Sequence, residues 1–527
     1  MMRALTIALA LVLGAALPAC HVILPGTARR MEVVPSPPDL VQARHAWRVM
    51  QREAPGSLEA RNATAIYNQA VVAVVKLLRK SEGTAAWGKS IRLQPGRVAV
   101  DASGSQRTFA LADFSQCELA AEVILTGFDR VVARDGVGVP VVLGQDDPKR
   151  VAQPFHPPAG EFLAATAVLG FPPTGARLRF YNPLAVAKLD VGPTSQPLAE
   201  NLTAALQRSL TNAVSDEDSP RQAAISTSGE VESQLFFLNR YEPTKVPVVF
   251  VHGLLCGPAV WKNSVNELLA DPALRRRYQP VCFMYPTKLP IPVTAARLRE
   301  LLKRSRDKLD PARQNPGYSR IVLVGHSMGG LVSQMQVIDS GNDFWRAFFV
   351  ASPQKVARRI DSKTRRMVNS ALFFQRVPEV KRVIFISTPH HGSDLADVTM
   401  FRAILRLILF LPKTTRQSLQ ALVDLPGDFV QPILRDFHGW GVEGTENLST
   451  RHPFFGALAK HRPQVPFNSI IATQGEVDFR NGGDGIVTYT SAHLAGAVSE
   501  TTVPYTHGCL EKPDTVQAVM KILKADR

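Results

Sequence analysis

Gly325-His326-Ser327-Met328-Gly329, with Gly330 directly after it, is the segment that most narrows what this chain can fold into. It follows the apolar run Ile321-Val322-Leu323-Val324 and precedes the helix-like stretch Leu331–Ser340. A G-x-S-x-G pattern alone recurs by chance in long chains. Between a buried strand and a helix it predicts a sharp turn that lifts the serine hydroxyl above a sheet. The glycines let strand and helix approach closely, and Ser327 becomes the candidate nucleophile.

The surroundings agree with that turn. From Lys245 onward, buried-strand runs alternate with helical stretches, the pattern of a parallel sheet with crossover helices. The strand candidates are Val246–Val251, Pro280–Met284, Ile321–Val324, Val383–Ile386, Phe467–Ala472 and Glu500–Val503. Helices are predicted over Ala259–Ala270, Thr294–Lys308, Leu331–Ser340 and Thr515–Leu523.

Upstream the texture differs, and 527 residues are too many for one compact core. Residues 20–56 carry prolines and mixed polarity and read as a tether. Ser57–Lys80 has apolar residues at helical spacing. Between about 90 and 240, short β-prone runs are broken by Gly, Pro and Asp: Ile91–Leu93, Arg97–Val100, Ala121–Leu125, Val139–Leu143, Ala164–Leu169 and Ala176–Tyr181. With a helix at Leu198–Val214, residues 57–240 are expected to form a smaller, mostly β domain ahead of an α/β domain at 241–527.

A lone serine is a weak nucleophile and needs a base oriented by a carboxylate. On a strand-turn-helix nucleophile the chain order is Ser, acid, His. His507 lies just past the last predicted strand and before the C-terminal helix, where such a base belongs, whereas His493 lies upstream of that strand and reads as a surface or lid contact. For the acid, Asp484 follows the strand Phe467–Ala472 through the glycine-rich Gly482-Gly483-Asp484-Gly485; Asp478 and Asp394 are the competitors. An oxyanion site is expected from the backbone N–H groups of Leu254, in the turn after Val246–Val251, and Met328, after the nucleophile. His252 and His326 read as turn residues.

Pro247–Gly253, Gly325–Gly330, Ser387-Thr388-Pro389-His390-His391-Gly392-Ser393, Asp484 and His507 together resemble bacterial lipases of the α/β-hydrolase superfamily and the related esterases similar to GPI inositol-deacylase. Phe283-Met284-Tyr285-Pro286-Thr287 is also similar to a stretch in that group, and the resemblance covers about residues 245–527. It implies an α/β-hydrolase fold with helices on both faces and a helical lid. It further implies ester hydrolysis through a Ser327–His507–Asp484 triad and an acyl-enzyme, with no metal or organic cofactor. By the same resemblance, His390 and His391 are structural or pocket-lining.

The N-terminus points to export. Met1-Met2-Arg3 precedes an apolar run, Ala4–Ala16, too short for the roughly 20 residues of a membrane span. Leu17-Pro18-Ala19-Cys20 resembles the lipobox of bacterial lipoproteins, which implies a 1–19 signal peptide and acylation of Cys20; His21, in place of Asp, implies the outer membrane. Cys117, Cys256, Cys282 and Cys509 have spacings that select no disulfide pairing, and a Cys256–Cys509 bridge would tie the oxyanion turn to the His507 loop. The net charge of +16 is scattered, with clusters only at Arg275-Arg276-Arg277 and Lys363-Thr364-Arg365-Arg366, and no nucleic-acid signature surrounds them.

Two inserts, 341–379 and 397–463, separate strands whose carboxyl ends build the site. The first carries Phe344, Trp345, Phe348, Phe349, Phe373 and Phe374; the second includes the run Phe401–Leu411. They read equally as a lid that contacts acyl chains and as helices packed on the sheet. The substrate class expected is therefore an acyl ester or lipid, met at a membrane. An acyltransferase on the same three residues, or an envelope lipoprotein using the fold as a binding scaffold, is the alternative.

Overall fold

The structure is a computed structural model and describes residues 39–80, 89–211 apart from 94–95, 102–108 and 174, 233–393 apart from 255 and 288, and 417–526 apart from 419, 423, 433–452, 477 and 479. The expected signal peptide, Cys20, Asp394 and most of the 397–463 insert lie outside those residues.

The N-terminal part begins with two helices, α1 (Leu40–Arg52) and α2 (Leu58–Lys80). The first corrects the expectation of a tether across 20–56. Asp39 and Gln42 form a reciprocal cap, with the Gln42 N–H donating to Asp39 Oδ1 at 2.8 Å and the Asp39 N–H to Gln42 Oε1 at 3.1 Å. Leu40, Ala43, Ala46 and Met50 then fall on one buried face. Both helices cover a six-stranded sheet built from β1 (Ser90–Leu93), β2 (Gly96–Val100), β3 (Gln116–Leu119), β4 (Val139–Gln145), β5 (Glu161–Gly170) and β6 (Ala176–Tyr181), in the order β1-β2-β6-β5-β4-β3. Buried Tyr67 on α2 pins β5 by donating to the Leu169 C=O at 2.9 Å and accepting from the Leu169 N–H at 2.6 Å. The expected strand at Ala121–Leu125 is absent; a single 3₁₀ turn stands at Ala120–Glu122.

After α3 (Leu202–Thr211) comes a seven-stranded sheet of β7 (Gln234–Phe237), β8 (Val246–Val251), β9 (Tyr278–Met284), β10 (Ile321–His326), β11 (Val380–Ile386), β12 (Phe467–Ala472) and β13 (Ser499–Val503). The order is β7-β9-β8-β10-β11-β12-β13, parallel throughout except that β7 pairs antiparallel with β9. Every residue of β8, β10 and β12 is buried, as a strand covered on both faces requires. Edge strand β7 starts at Gln234, so this sheet begins upstream of residue 241, and its Phe237 N–H is capped by the Phe155 C=O at 2.8 Å.

Helix α4 (Lys262–Ala270) covers one face of the sheet, while α5 (Ile291–Leu309) and α6 (Met328–Gln334) cover the other. The insert at 341–379 forms α7 (Asp343–Phe348), α8 (Pro353–Ala357) and α9 (Ser362–Leu372). Phe344, Trp345, Phe348 and Phe349 turn into the core, with Trp345 stacked on Phe349 at 4.3 Å; Lys355, Arg358, Arg359, Lys363, Arg365 and Arg366 face out. The closing helix α10 (Pro513–Ala525) returns to the α4 face. Among the described residues no helix is long and apolar enough to cross a membrane.

The N-terminal part is joined to the sheet through buried contacts. Leu202, Leu206 and Leu210 of α3 share one apolar cluster with Phe250 and Trp261. Thr203 Oγ1 accepts from the Val132 N–H at 2.7 Å and donates to Asn266 Oδ1 at 2.8 Å, while Asn266 Nδ2 donates to the Arg130 C=O at 2.9 Å. Arg240 holds Glu161 with two hydrogen bonds of 2.8 Å. Asn266→Ala strands the Thr203 hydroxyl and the Arg130 carbonyl and is expected to cost about 1–3 kcal/mol. Urea denaturation of residues 39–527 should show one transition, shifted in midpoint by that substitution; separate transitions for the two parts would contradict a shared core.

Candidate active site

Ser327 stands between β10 and α6 with φ 52° and ψ −125°, a left-handed backbone for a residue with a side chain. Its N–H extends the ladder by donating to the Ile386 C=O at 2.9 Å. The turn is tight enough that a Cβ on Gly325 would sit 2.6 Å from the Gly329 carbonyl, and one on Gly253 would sit 3.2 Å from Ser327 Cβ. Glycine is dictated there by space.

Asp484 and His507 lie in the loops after β12 and β13. His507 Nε2 lies 2.9 Å from Ser327 Oγ, and His507 Nδ1 lies 2.7 Å from Asp484 Oδ2. A carboxylate only accepts, so Nδ1 carries the proton and Nε2 is left to accept from the serine hydroxyl. Asp484 Oδ1 accepts from the Ile486 N–H at 2.9 Å and the Val487 N–H at 2.7 Å. Burial raises the Asp484 carboxyl, but the His507 charge and hydrogen bond and those two N–H groups outweigh it, holding the carboxyl below its ordinary range. The Asp484 C=O accepts from the His507 N–H at 2.9 Å, so the two residues are tied through backbone as well as side chain.

The competitors stand elsewhere. Asp478 is exposed and takes a hydrogen bond from Asn481 at 2.8 Å, and His493 pairs with Glu500 at 2.8 Å on the surface. Gly253 abuts Ser327 and His326, so the Leu254 turn borders Ser327. Met328 is the first residue of α6, and its N–H has no acceptor within the helix. Cys509 is a buried thiol without a disulfide, 3.9 Å from Ser387 Oγ, so the Cys256–Cys509 bridge is not formed. Burial pushes that thiol up to about 12. Among the described residues, no group of three or more His, Cys, Asp and Glu is arranged to hold a metal.

Three further histidines are buried in this domain, His252 and His326 beside the site and His390 against Gln334. His252 stacks on Tyr285 at 4.3 Å and its Nδ1 meets the Gly253 C=O at 3.0 Å; His390 Nδ1 meets Gln334 Oε1 at 2.7 Å. Burial pushes His252 down to about 4 and His326 and His390 to about 3, so all are neutral at neutral pH. Sequence reasoning missed Ser387, which follows β11 at φ 43° and donates to no catalytic group; its Oγ accepts from the Ala472 N–H at 3.2 Å, locking β11 to β12 beneath the site. Nothing in the motif Ser387–Ser393 singled that residue out beforehand.

Residues 248–483 match the alpha/beta hydrolase family, and together with the sheet order this makes the C-terminal part an α/β-hydrolase domain preceded by a mostly strand region. Among solved structures the chain is similar to the mature form of a lipase from Bacillus licheniformis, at 20% identity over 54% of this chain and 93% of that one, with a TM-score of 0.31. It is similar to a metagenomic carboxyl esterase at 17% identity over 54% of this chain and 77% of that one, with a TM-score of 0.30. A hydrolase from Pseudomonas aeruginosa shares 17% identity over 55% of this chain and 93% of its own, with a TM-score of 0.26. No curated protein sequence matches the chain.

The buried histidines make stability depend on pH. Unfolded, each takes up a proton as pH falls through its ordinary value of 6.5; folded, none does until about 4 or 3. The unfolded state therefore binds more protons, so stability is full above 6.5 and falls as pH drops from there toward 4. His390→Gln is expected to take up about one proton fewer on unfolding near pH ~5, read as a shallower pH dependence of the urea-derived stability. An unchanged slope would show that His390 is protonated in the folded protein.

Proposed function

We propose that the chain is a serine hydrolase that cleaves carboxylic esters, acting as an esterase or lipase through Ser327, His507 and Asp484. The observation that carries this reading is the unbroken hydrogen-bond series from Asp484 Oδ2 through both ring nitrogens of His507 to Ser327 Oγ, at 2.7 and 2.9 Å. The family match over residues 248–483 supports hydrolysis as the reaction type.

In the proposed reaction Ser327 Oγ attacks the ester carbonyl while His507 Nε2 takes its proton. Asp484 keeps the imidazole in the required tautomer and stabilises its charged form. The Leu254 and Met328 N–H groups receive the developing oxyanion, where each donor is worth on the order of 10²–10³ in rate. His507 then returns the proton to the leaving alcohol, breaking the ester bond and leaving an acyl-Ser327. Water, deprotonated by the same imidazole, attacks the acyl carbonyl and releases the acid with Ser327 restored. Buried, neutral His252 and His326 fit a center where only one imidazole is meant to become charged.

The proposal includes a bacterial envelope location, with a membrane anchor through lipidated Cys20 and an outer-membrane destination, supported by the Leu17–Cys20 segment and His21. A lipid or acyl-ester substrate met at that surface follows from the same reading.

Residues 39–527 assayed on p-nitrophenyl esters from acetate to palmitate should turn over in a Ser327-dependent manner. Ser327→Ala is expected to lose about 10⁴-fold or more in kcat, and Asp484→Asn about 10³–10⁴-fold. The chain-length optimum separates esterase from lipase; turnover unaffected by Ser327→Ala would overturn the reading. For the anchor, Cys20→Ala in the full chain should move the protein from the membrane to the soluble fraction, and an unmoved distribution would contradict lipidation.

A further inference from the structure

His507 is held at four points. Its ring nitrogens engage Asp484 and Ser327, and its N–H donates to the Asp484 C=O. The fourth contact comes from outside the proposed triad: His326 Nε2 lies 3.0 Å from the His507 carbonyl, joining residues 181 positions apart. That contact links the residue just before the nucleophile to the backbone of the base.

The chemistry of this contact has one solution. A carbonyl only accepts, so the proton of neutral His326 sits on Nε2 and Nδ1 presents a lone pair. Nδ1 is buried without a hydrogen-bond partner among the described residues. It lies 2.9 Å from where a Cβ on residue 253 would stand, so Gly253 makes room for the ring. The His326 and His507 rings pack at 4.8 Å and 41°. An orphaned ring nitrogen costs stability that an apolar side chain of the same size would not. Packing alone therefore does not account for a histidine at this position; the donated N–H does.

We infer that His326 is a positioning residue, which fixes the His507 loop through its carbonyl so that the imidazole stays aligned between Ser327 Oγ and Asp484. This rests on the triad reading above. The groups that bear electrostatically on His326 are His507, Asp484 and His252, and burial keeps the His326 ring uncharged beside them. A second cation there would oppose formation of the His507 imidazolium.

The test compares His326→Met, which keeps apolar bulk and removes the donor, with His326→Gln, whose amide N–H reaches about as far as Nε2. On p-nitrophenyl acetate, His326→Met is expected to lose about 10–10²-fold in kcat with KM within about twofold, the size of loss that a misplacement of about 1 Å produces. His326→Gln should recover most of that loss. The low-field proton resonance of His507 Nδ1–H, bonded to Asp484, should persist in wild type and His326→Gln and broaden or vanish in His326→Met. The inference is overturned if His326→Met keeps both its kcat and that resonance, or if both variants are impaired alike. Ser327→Ala run in parallel separates the two claims: turnover that survives it sinks the triad reading, while the resonance still reports on His507 alignment.

Discussion

Ser327 occupies a backbone conformation that costs on the order of 1–3 kcal/mol for a residue with a side chain, and the surrounding fold exists in a form that makes it unavoidable. On one side β10 continues its ladder into the Ser327 N–H; on the other α6 begins at the next residue. Gly253, Gly325 and Gly329 remove the atoms that would hold these elements apart. The strain is met by fully buried β8 on one side and by the buried Val383–Ile386 end of β11 on the other, so it is stored where the packing is least able to yield. The outcome is a hydroxyl at the sheet end, within reach of a base delivered by a loop after β13.

Burial sets the electrostatics of the site. His252 and His326 stand beside His507 at the site, yet only His507 is joined to a carboxylate there. His252, His326 and His390 each spend one ring nitrogen on an oxygen and leave the other without a partner. In a low-dielectric setting those rings stay neutral and act as shaped donors, whereas His507 alone is hydrogen-bonded to a buried carboxylate, Asp484. One fold thus assigns different roles to chemically identical side chains through their neighbours.

Much of the C-terminal domain was legible because its central strands are covered on both faces and are rich in apolar residues: Val246–Val251 matches the observed limits, and so does Phe467–Ala472, although Asn468 and Ser469 interrupt its apolar run. Strand β7 was not, since Gln234-Leu235-Phe236-Phe237 is only four residues and pairs with β9, far along the chain. Helix α1 was masked by the prolines before it, although Asp39 and Gln42 carried a capping signal. Asp484 and His507 were accessible from chain order and loop position; the His326–His507 contact was not, because a spacing of 181 residues leaves no local trace. The insert at 341–379 shows why composition alone left its role open. Its aromatic residues suit an exposed lid and a buried layer equally, and the structure buries four of them.

The central claim is that Ser327 is the nucleophile, and covalent labelling tests it without assuming a substrate. A fluorophosphonate reacted with the intact protein, followed by peptide mass mapping, should modify Ser327 alone, and His507→Ala should suppress that labelling. Modification of another residue, or an unlabelled Ser327 in protein that still hydrolyses esters, would contradict the account.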